Sequence, residues 1–444
     1  MDMKINEFAA KVMEEAGKSG IVPAEVSYTV SDAFTARVRK AQLEDYKVSE
    51  KMSVTLRGRV NGRIGTARTQ ALDEESIDLL IRGVKESAEL IETDEQDDIL
   101  PPDAHYETVV NYSEALEGVG AQEKIAMAMD IDKCMQDADE RIKPDDTVVS
   151  SSASLFAMKN SLGLDLSHKS NMIYAFTSSL AKDGDRAATG FKLQWGYGAD
   201  AIKPEELAKE CKEDALSQLY ASRMKSGKYP VVVKGSAMAD LLSTFCGIFS
   251  AENAQKGMSL LKDREGETIA AACVTLTDAP LMAWGLASSP FDREGAATFK
   301  KNVIENGVLK TLLHNRKTAK KAGCRTTGNA AGAGQVAPTN FFFVPGEKTE
   351  DELLKEMGDG LYLTEVTGLH AGANGVSGDF SLLSKGFEIK GGEKVRAVEQ
   401  FTVAGNFYQV MKDILAVAND LKFEGSPIAS PAVLVREISV AGED

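Results

Sequence analysis

The sequence predicts an α+β protein: an N-terminal α/β region of two mixed blocks, followed by a C-terminal β-rich, barrel-like domain with helices packed against it. Three observations predict it. Helix-period apolar runs alternate with strand-like runs through the first half. Two-residue turn signals recur at Asn61-Gly62, Asn306-Gly307 and Gly391-Gly392, where positive φ at both positions makes hairpins. The 444 residues exceed one ordinary core, because domains run to roughly 100–200 residues.

The first block, residues 1–93, pairs a short N-terminal helix with strand-like segments, a hairpin over 52–70 and a helix over 74–92. Ile77, Leu80, Ile81, Val84, Ala88 and Ile91 give that helix its apolar face. Asp73 is its N-cap, with Glu74 and Glu75 in the first turn where the helix dipole favours acids. The acidic, proline-bearing stretch TDEQDDILPPDAHYE from Thr93 reads as a connector. The second block, 108–225, holds a helix over 122–137, a β-rich run over 147–198 and a helix over 204–221 that opens with a proline. These blocks make an N-terminal domain of 1–225, and Ser226-Gly227-Lys228 begins a second domain, 226–444.

The last domain opens with a strand at 230–234. Thr349-Glu350-Asp351-Glu352 is a capping box for a helix running to about Met357. Asn406 caps another, predicted to carry Val410, Ile414, Val417 and Leu421 on one face. So many strand signals in one unit imply a barrel-like or strongly curved sheet.

Composition excludes several function classes. Hydrophobic residues at 43% and charged residues at 27% are ordinary for a folded protein. A net charge of −16 repels both a phosphate backbone and an anionic membrane. The densest basic run, Arg316-Lys317-Thr318-Ala319-Lys320-Lys321, lacks interleaved aromatics and reads as a solvated helix face. The N-terminus has charges every few residues and no apolar signal core, so a cytoplasmic chain is expected. No run reaches the roughly 20 apolar residues of a membrane span; the longest, 269–288, is broken by Thr275, Thr277, Asp278 and Pro280. The five cysteines are scattered and form no CxxC pair, which fits a reducing compartment. Cys211 falls on an apolar helix face with Leu207, Ala215 and Leu219 and reads as a buried thiol.

Metal and nucleophile chemistry find little purchase. None of the four histidines, His105, His168, His314 and His370, lies within one helical turn of another, so a zinc pair on one helix is absent. No G-x-S-x-G elbow occurs, and Ser377 with Asp379 in GVSGDF reads as a turn between strands. Gly332-Ala333-Gly334 nearly matches a dinucleotide fingerprint, but the strand-like run 340–344 follows where a helix is required. A mobile glycine-rich loop is the expectation there.

The C-terminal segments TTGNAAGAG, APTNFFFVPG and TGLHAGANGVSGDFSLLSKGFEIKGGEKVRAVEQFTVAGN, in that order, resemble the signature of the TldD/PmbA family. NGVLKTLLHNRKTAKKAG from Asn306 resembles its preceding hairpin and helix, and NSLGLDLSHKS from Asn160 carries a looser N-terminal match. In the TldD branch a helix after the strand at 230–234 carries HExxxH, which supplies two zinc ligands and a water-activating glutamate. Here Ser243, Thr244 and Ile248 stand at those positions, give or take a residue, and this departure matches the PmbA/TldE branch. The resemblance implies no cofactor in this chain, zinc in a TldD-type partner subunit, and a heterodimer acting on unfolded or small peptides, including leader peptides and antitoxins. Whether an isolated chain pairs with itself across the same face stays open. A peptide adding as a strand to a sheet edge needs close backbone approach. Segments 328–334 and 372–378 offer it, making Gly332, Gly334, Asn340, His370, Asn374, Ser377, Gly378 and Asp379 the candidate peptide-binding residues. Two alternatives stay open. One is a homodimeric peptide-binding or regulatory protein, as the family's older naming as a gyrase modulator implies; the other is an independent hydrolase using Ser377, His370 and Asp379.

Overall fold

A computed structural model describes residues 2–91, 98–136, 139–332 and 334–443. The N-terminal part contains α1 (Asp2–Lys18), β1 (Ala24–Arg39), β2 (Gln42–Val60), β3 (Arg63–Thr69), α2 (Glu74–Glu89), α3 (Glu114–Glu117), α4 (Ala121–Gln136), β4 (Ile142–Asn160), β5 (Asp165–Asp183), β6 (Arg186–Gly196) and α5 (Pro204–Gln218). Its strands form one antiparallel sheet in the order β3-β2-β1-β4-β5-β6. Because β1 pairs with β4, the two N-terminal blocks share a single sheet. Asn61 and Gly62 turn between β2 and β3 with φ of 50° and 82°, as the dipeptide predicts.

Helices cover one face of this sheet. Ile77, Leu80 and Val84 of α2 pack with Val26, Tyr28 and Val30 of β1. The approach of α2 to β3 is close: a Cβ on Gly65 would stand 1.9 Å from the Val84 carbonyl oxygen, so only glycine fits. The Asp73 side chain accepts from Ser76 N, as an N-cap should. The helix stops at Glu89, before the predicted Ile91, and Leu90 beyond it is 81% exposed. Farther along the sheet, Ala128 and Ile131 of α4 and Leu207 of α5 meet Val149, Ile173 and Ala175. Cys211 is buried in this layer as expected.

The acidic connector is partly structural. Its residues 93–97 lie outside the described residues. From Asp98 onward the segment is strapped down: Asp98 pairs with Arg59, and Ile99 is buried. The Asp103 carboxylate accepts from Ala297 N at 2.7 Å and the Tyr106 hydroxyl donates to Gly295 O at 2.9 Å. These bonds fasten the connector to the C-terminal half.

That half contains β7 (Gly227–Val233), α6 (Gly235–Phe245), α7 (Ala251–Gln255), β8 (Leu276–Asp278), β9 (Lys301–Glu305), β10 (Val308–Leu309), α8 (Arg316–Ala322), β11 (Ala330–Gly332), β12 (Gln335–Val336), β13 (Phe341–Phe343), α9 (Glu350–Met357), β14 (Gly360–Thr367), α10 (Leu369–Gly372), β15 (Asp379–Lys390), β16 (Glu393–Asn406), α11 (Phe407–Asp413), β17 (Ile414–Val417), β18 (Ile428–Ala429) and β19 (Val433–Ala441). Strands β16-β15-β14-β7-β19 lie side by side, and β16 also pairs with β19, which closes a five-stranded barrel. A second sheet runs β10-β9-β8-β13-β18. The expected barrel-like C-terminal architecture is therefore present. Between its sheets α6 buries Met238, Leu241, Leu242 and Phe245, and the Phe245 ring stacks on Phe407 at 4.8 Å between centroids.

Two C-terminal expectations change. The helix capped by Asn406 ends at Asp413; Ile414 and Val417 lie in β17, and Leu421 lies in the loop beyond it. The reason is tertiary. β19 offers partners Val435 and Val433 to Ile414 and Val417, so β-branched residues leave the helix for a ladder. The glycine-rich stretch around Gly332 is likewise a tight β11–β12 hairpin, with Gly332 at φ 95° and Gly334 at φ 77°; Ala333 lies outside the described residues.

Candidate functional site

Helix α6 and the turn that follows it carry the positions where the resemblance would place HExxxH. Ser243 is exposed, and the Thr244 hydroxyl donates to the Asp240 carbonyl oxygen at 2.9 Å within its own helix. Ile248 has left the α-helix for a 3-10 turn and is 0% exposed in the core. Hydroxyls are poor zinc donors and an isoleucine is none. Among the described residues no group of three His, Cys, Asp or Glu is placed to hold a metal ion. Asp240, which local sequence patterns did not single out, lies one turn before Thr244. Protein packed around its carboxylate, together with Glu424 and Glu365, pushes its pKa up to about 6.

The candidate peptide-binding residues fall into two groups. His370 lies in α10, Asn374, Ser377 and Gly378 form the turn that follows it, and Asp379 opens β15. Asn374 Oδ1 accepts from Val376 N and Ser377 N at 2.9 and 3.1 Å, and Ser377 Oγ accepts from Asp379 N at 3.3 Å. Asp379 accepts from Asn406 Nδ2 at 2.8 Å, and that bond holds its pKa below the ordinary carboxylate value. Gly378 has φ 82°, and a Cβ there would lie 2.6 Å from the Tyr408 ring. Each side chain except His370 thus serves the turn. His370 is exposed, and among the described residues no hydrogen bond joins it to Ser377 or Asp379.

Asn340, Gly332 and Gly334 belong elsewhere, around a cleft of about 300 Å³ between the first sheet and the loops of the second. Its floor is the sheet face opposite α4 and α5: Ser154 and Phe156 of β4 lie directly across from Ser170 and His168 of β5. Segment 286–293 forms its roof. Asn340 is fully buried behind that roof, donating to Ala279 O and Ser288 Oγ and accepting from Ala287 N. Its hydrogen-bonding capacity is spent on positioning, not on a ligand. Gly332 adjoins the cleft through Arg293, whose Cγ would be 3.9 Å from a Cβ on that glycine. Gly334 contributes its carbonyl, which accepts from Asn315 Nδ2.

Three polar side chains of the cleft retain unused capacity. Among the described residues the buried Asn111 donates to Ser288 O at 2.9 Å, while its Oδ1 has no partner. His168 Nε2 bonds the same carbonyl at 3.0 Å. A carbonyl only accepts, so Nε2 carries the proton. Burial lowers the pKa of His168 against the opposing pull of the Ser288 carbonyl, and the Arg293 charge adds to the lowering, leaving a neutral ring whose Nδ1 is an acceptor. The Arg293 guanidinium lies 4.0 Å from the Phe156 ring centroid and pairs with no carboxylate among the described residues. Its backbone is fixed. Neighbouring Asp292 accepts from Glu294 N, Ala296 N and Ala330 N, and Arg293 N donates to Ala330 O. Burial pushes the Asp292 carboxyl pKa up, against the pull of those amides. No local motif marks Asn111, His168 and Arg293 as a group, because they arise on three separated segments.

Three models of one family cover most of the chain: the PmbA/TldA metallopeptidase domain 1 over residues 24–88, the central domain over 114–219 and the C-terminal domain over 226–442. The metalloprotease PmbA of Escherichia coli O157:H7 is 30% identical over 247 residues, 55% of this chain and 53% of that one. A PmbA metalloprotease homolog of Haemophilus influenzae is 25% identical over 98% of this chain and 95% of its own. The crystal structure of a Thermotoga maritima protein, described as a candidate modulator of a DNA gyrase, superposes with a TM-score of 0.91. It is 34% identical, covering 98% of this chain and 100% of that chain. This chain belongs to the PmbA/TldD metallopeptidase family.

Proposed function

We propose that this chain is a non-catalytic subunit of a TldD/TldE-type metallopeptidase complex, the PmbA/TldE member of a cytoplasmic heterodimer whose zinc sits in the TldD-type partner. The observation that carries the reading is the solvent side of α6. The family name implies a metal, and the residues present do not fit one: Ser243 and Thr244 offer hydroxyls, and the Ile248 side chain is buried in the core. No hydrolytic step is therefore assigned to this chain. Its part is to complete and shape a cavity for unfolded or small peptides, such as leader peptides or antitoxins. A net charge of −16 weighs against a direct DNA role.

The test is hydrolysis of an unfolded peptide by this chain alone and mixed with a TldD-type chain from the same genome, with zinc measured in both. Cleavage confined to the mixture supports the subunit reading. Chelator-sensitive cleavage by the pure chain overturns it.

A further inference from the structure

The cleft over β4 and β5 holds two groups with unused hydrogen-bonding capacity, the Arg293 guanidinium and Asn111 Oδ1. The Arg293 guanidinium is exposed to solvent, lies against the Phe156 face and has no carboxylate partner among the described residues, so it is free to take an anion, and its planar edge matches a carboxylate bidentately. A buried carbonyl oxygen without a donor is costly, so Asn111 Oδ1, closed off from solvent as its side chain stands, gains from an N–H once its amide turns toward the cleft. Among the described residues Arg293 is the only Lys or Arg lining the cleft, and the Asp292 carboxyl lines it too. One cation beside a carboxyl suits a singly charged anion better than a phosphate dianion. Its volume of about 300 Å³ is small for a ligand site and admits the end of a chain, not a folded surface. Phe156 and Phe291 supply an apolar wall.

We infer that this cleft binds the free C-terminal end of an extended peptide, its α-carboxylate on Arg293 and a main-chain N–H on Asn111 Oδ1. His168 is a positioning residue that holds the Ser288 carbonyl, and with it the roof, from the floor strand. The inference deepens the peptide-handling reading and rests on it: a subunit without catalytic ligands would hold the chain end while its partner cuts.

The experiment is titration of the full chain with a fluorescent unfolded pentapeptide, as the free acid and as the C-terminal amide. A third peptide, amidated but carrying an internal glutamate, separates a terminal carboxylate from a side-chain one. The free acid should bind about tenfold or more tighter than either amide, as a charge-assisted bidentate pair implies. Arg293→Met, which keeps an apolar contact to Phe156, should abolish that preference, and Arg293→Lys should restore part of it. Unchanged melting and circular dichroism would show that the variants fold. Equal binding of acid and amide, a preference that survives Arg293→Met, glutamate-amide binding as tight as the free acid, or no binding to the chain at all overturns the inference. Zinc-dependent cleavage by the mixed subunits, indifferent to the peptide's terminus, would then leave the subunit reading standing. Failure of the mixture to cleave while the free acid binds would have the opposite meaning.

Discussion

Asp240→Asn should stabilise the protein at neutral pH and do nothing at low pH. The wild-type carboxyl titrates near 6 when folded, against about 3.9 when unfolded. Between those values the folded state holds more protons, so stability falls as pH rises and is lost through the folded pKa. Two units set a ceiling of about 3 kcal/mol. Asp240 still reaches solvent, and screening there reduces the usable figure to about 1 kcal/mol. Glu424 and Glu365 face the same carboxylate and contribute to the effect, with Glu365 itself held by Lys385 at 3.1 Å. Urea unfolding of both proteins at pH 4 and pH 7.5 measures the difference, because other titrating groups cancel between them. An equal gain at both pH values would mean that asparagine acts through packing or helix propensity. No gain at pH 7.5 would refute the account of Asp240 altogether.

Other perturbations probe the frame around both regions. Lys301→Met should cost about 3–5 kcal/mol in chemical denaturation, because it strands Asp278, which is fully buried and now bonded to Lys301 Nζ at 2.8 Å. Installing Ser243→His, Thr244→Glu and Ile248→His together should yield no stoichiometric zinc by elemental analysis. The Ile248 position faces the core, and an unpaired buried imidazole there should cost roughly 2–4 kcal/mol of stability; tight zinc uptake would contradict the placement of that residue. Thr349→Ala should cost about 1 kcal/mol, since it removes one half of the capping box on α9 and leaves Glu352 N without its partner.

What was legible in the sequence was local. The turns at Asn61-Gly62, Asn306-Gly307 and Gly391-Gly392 appear as read because the positive φ they need is decided by two adjacent residues. The caps Asp73, Thr349 and Asn406 likewise bond amides within three positions. What was missed depended on distant partners. Nothing near Ile414 says that β19 will take it from a helix, and nothing near residues 98–107 says that Ala297 and Gly295 will hold them.

The site follows the same logic one level up. Asn340 stands beside the glycine-rich segment, yet its side chain is consumed by Ala279, Ala287 and Ser288. Ser377 and Asp379 sit in a turn, as GVSGDF implies, and Asn374 and Ser377 there bond the amides of Val376, Ser377 and Asp379. A ligand site is recognised by the opposite property: groups that the fold brings together and leaves unsatisfied. Asn111 Oδ1 and the Arg293 guanidinium are conspicuous only after every other partner in the cleft has been assigned. A sequence shows which groups a chain owns, but which of them remain unspent is a property of the packed molecule. For this family member the residues worth mutating are therefore Arg293 and Asn111 rather than those in the glycine-rich signature.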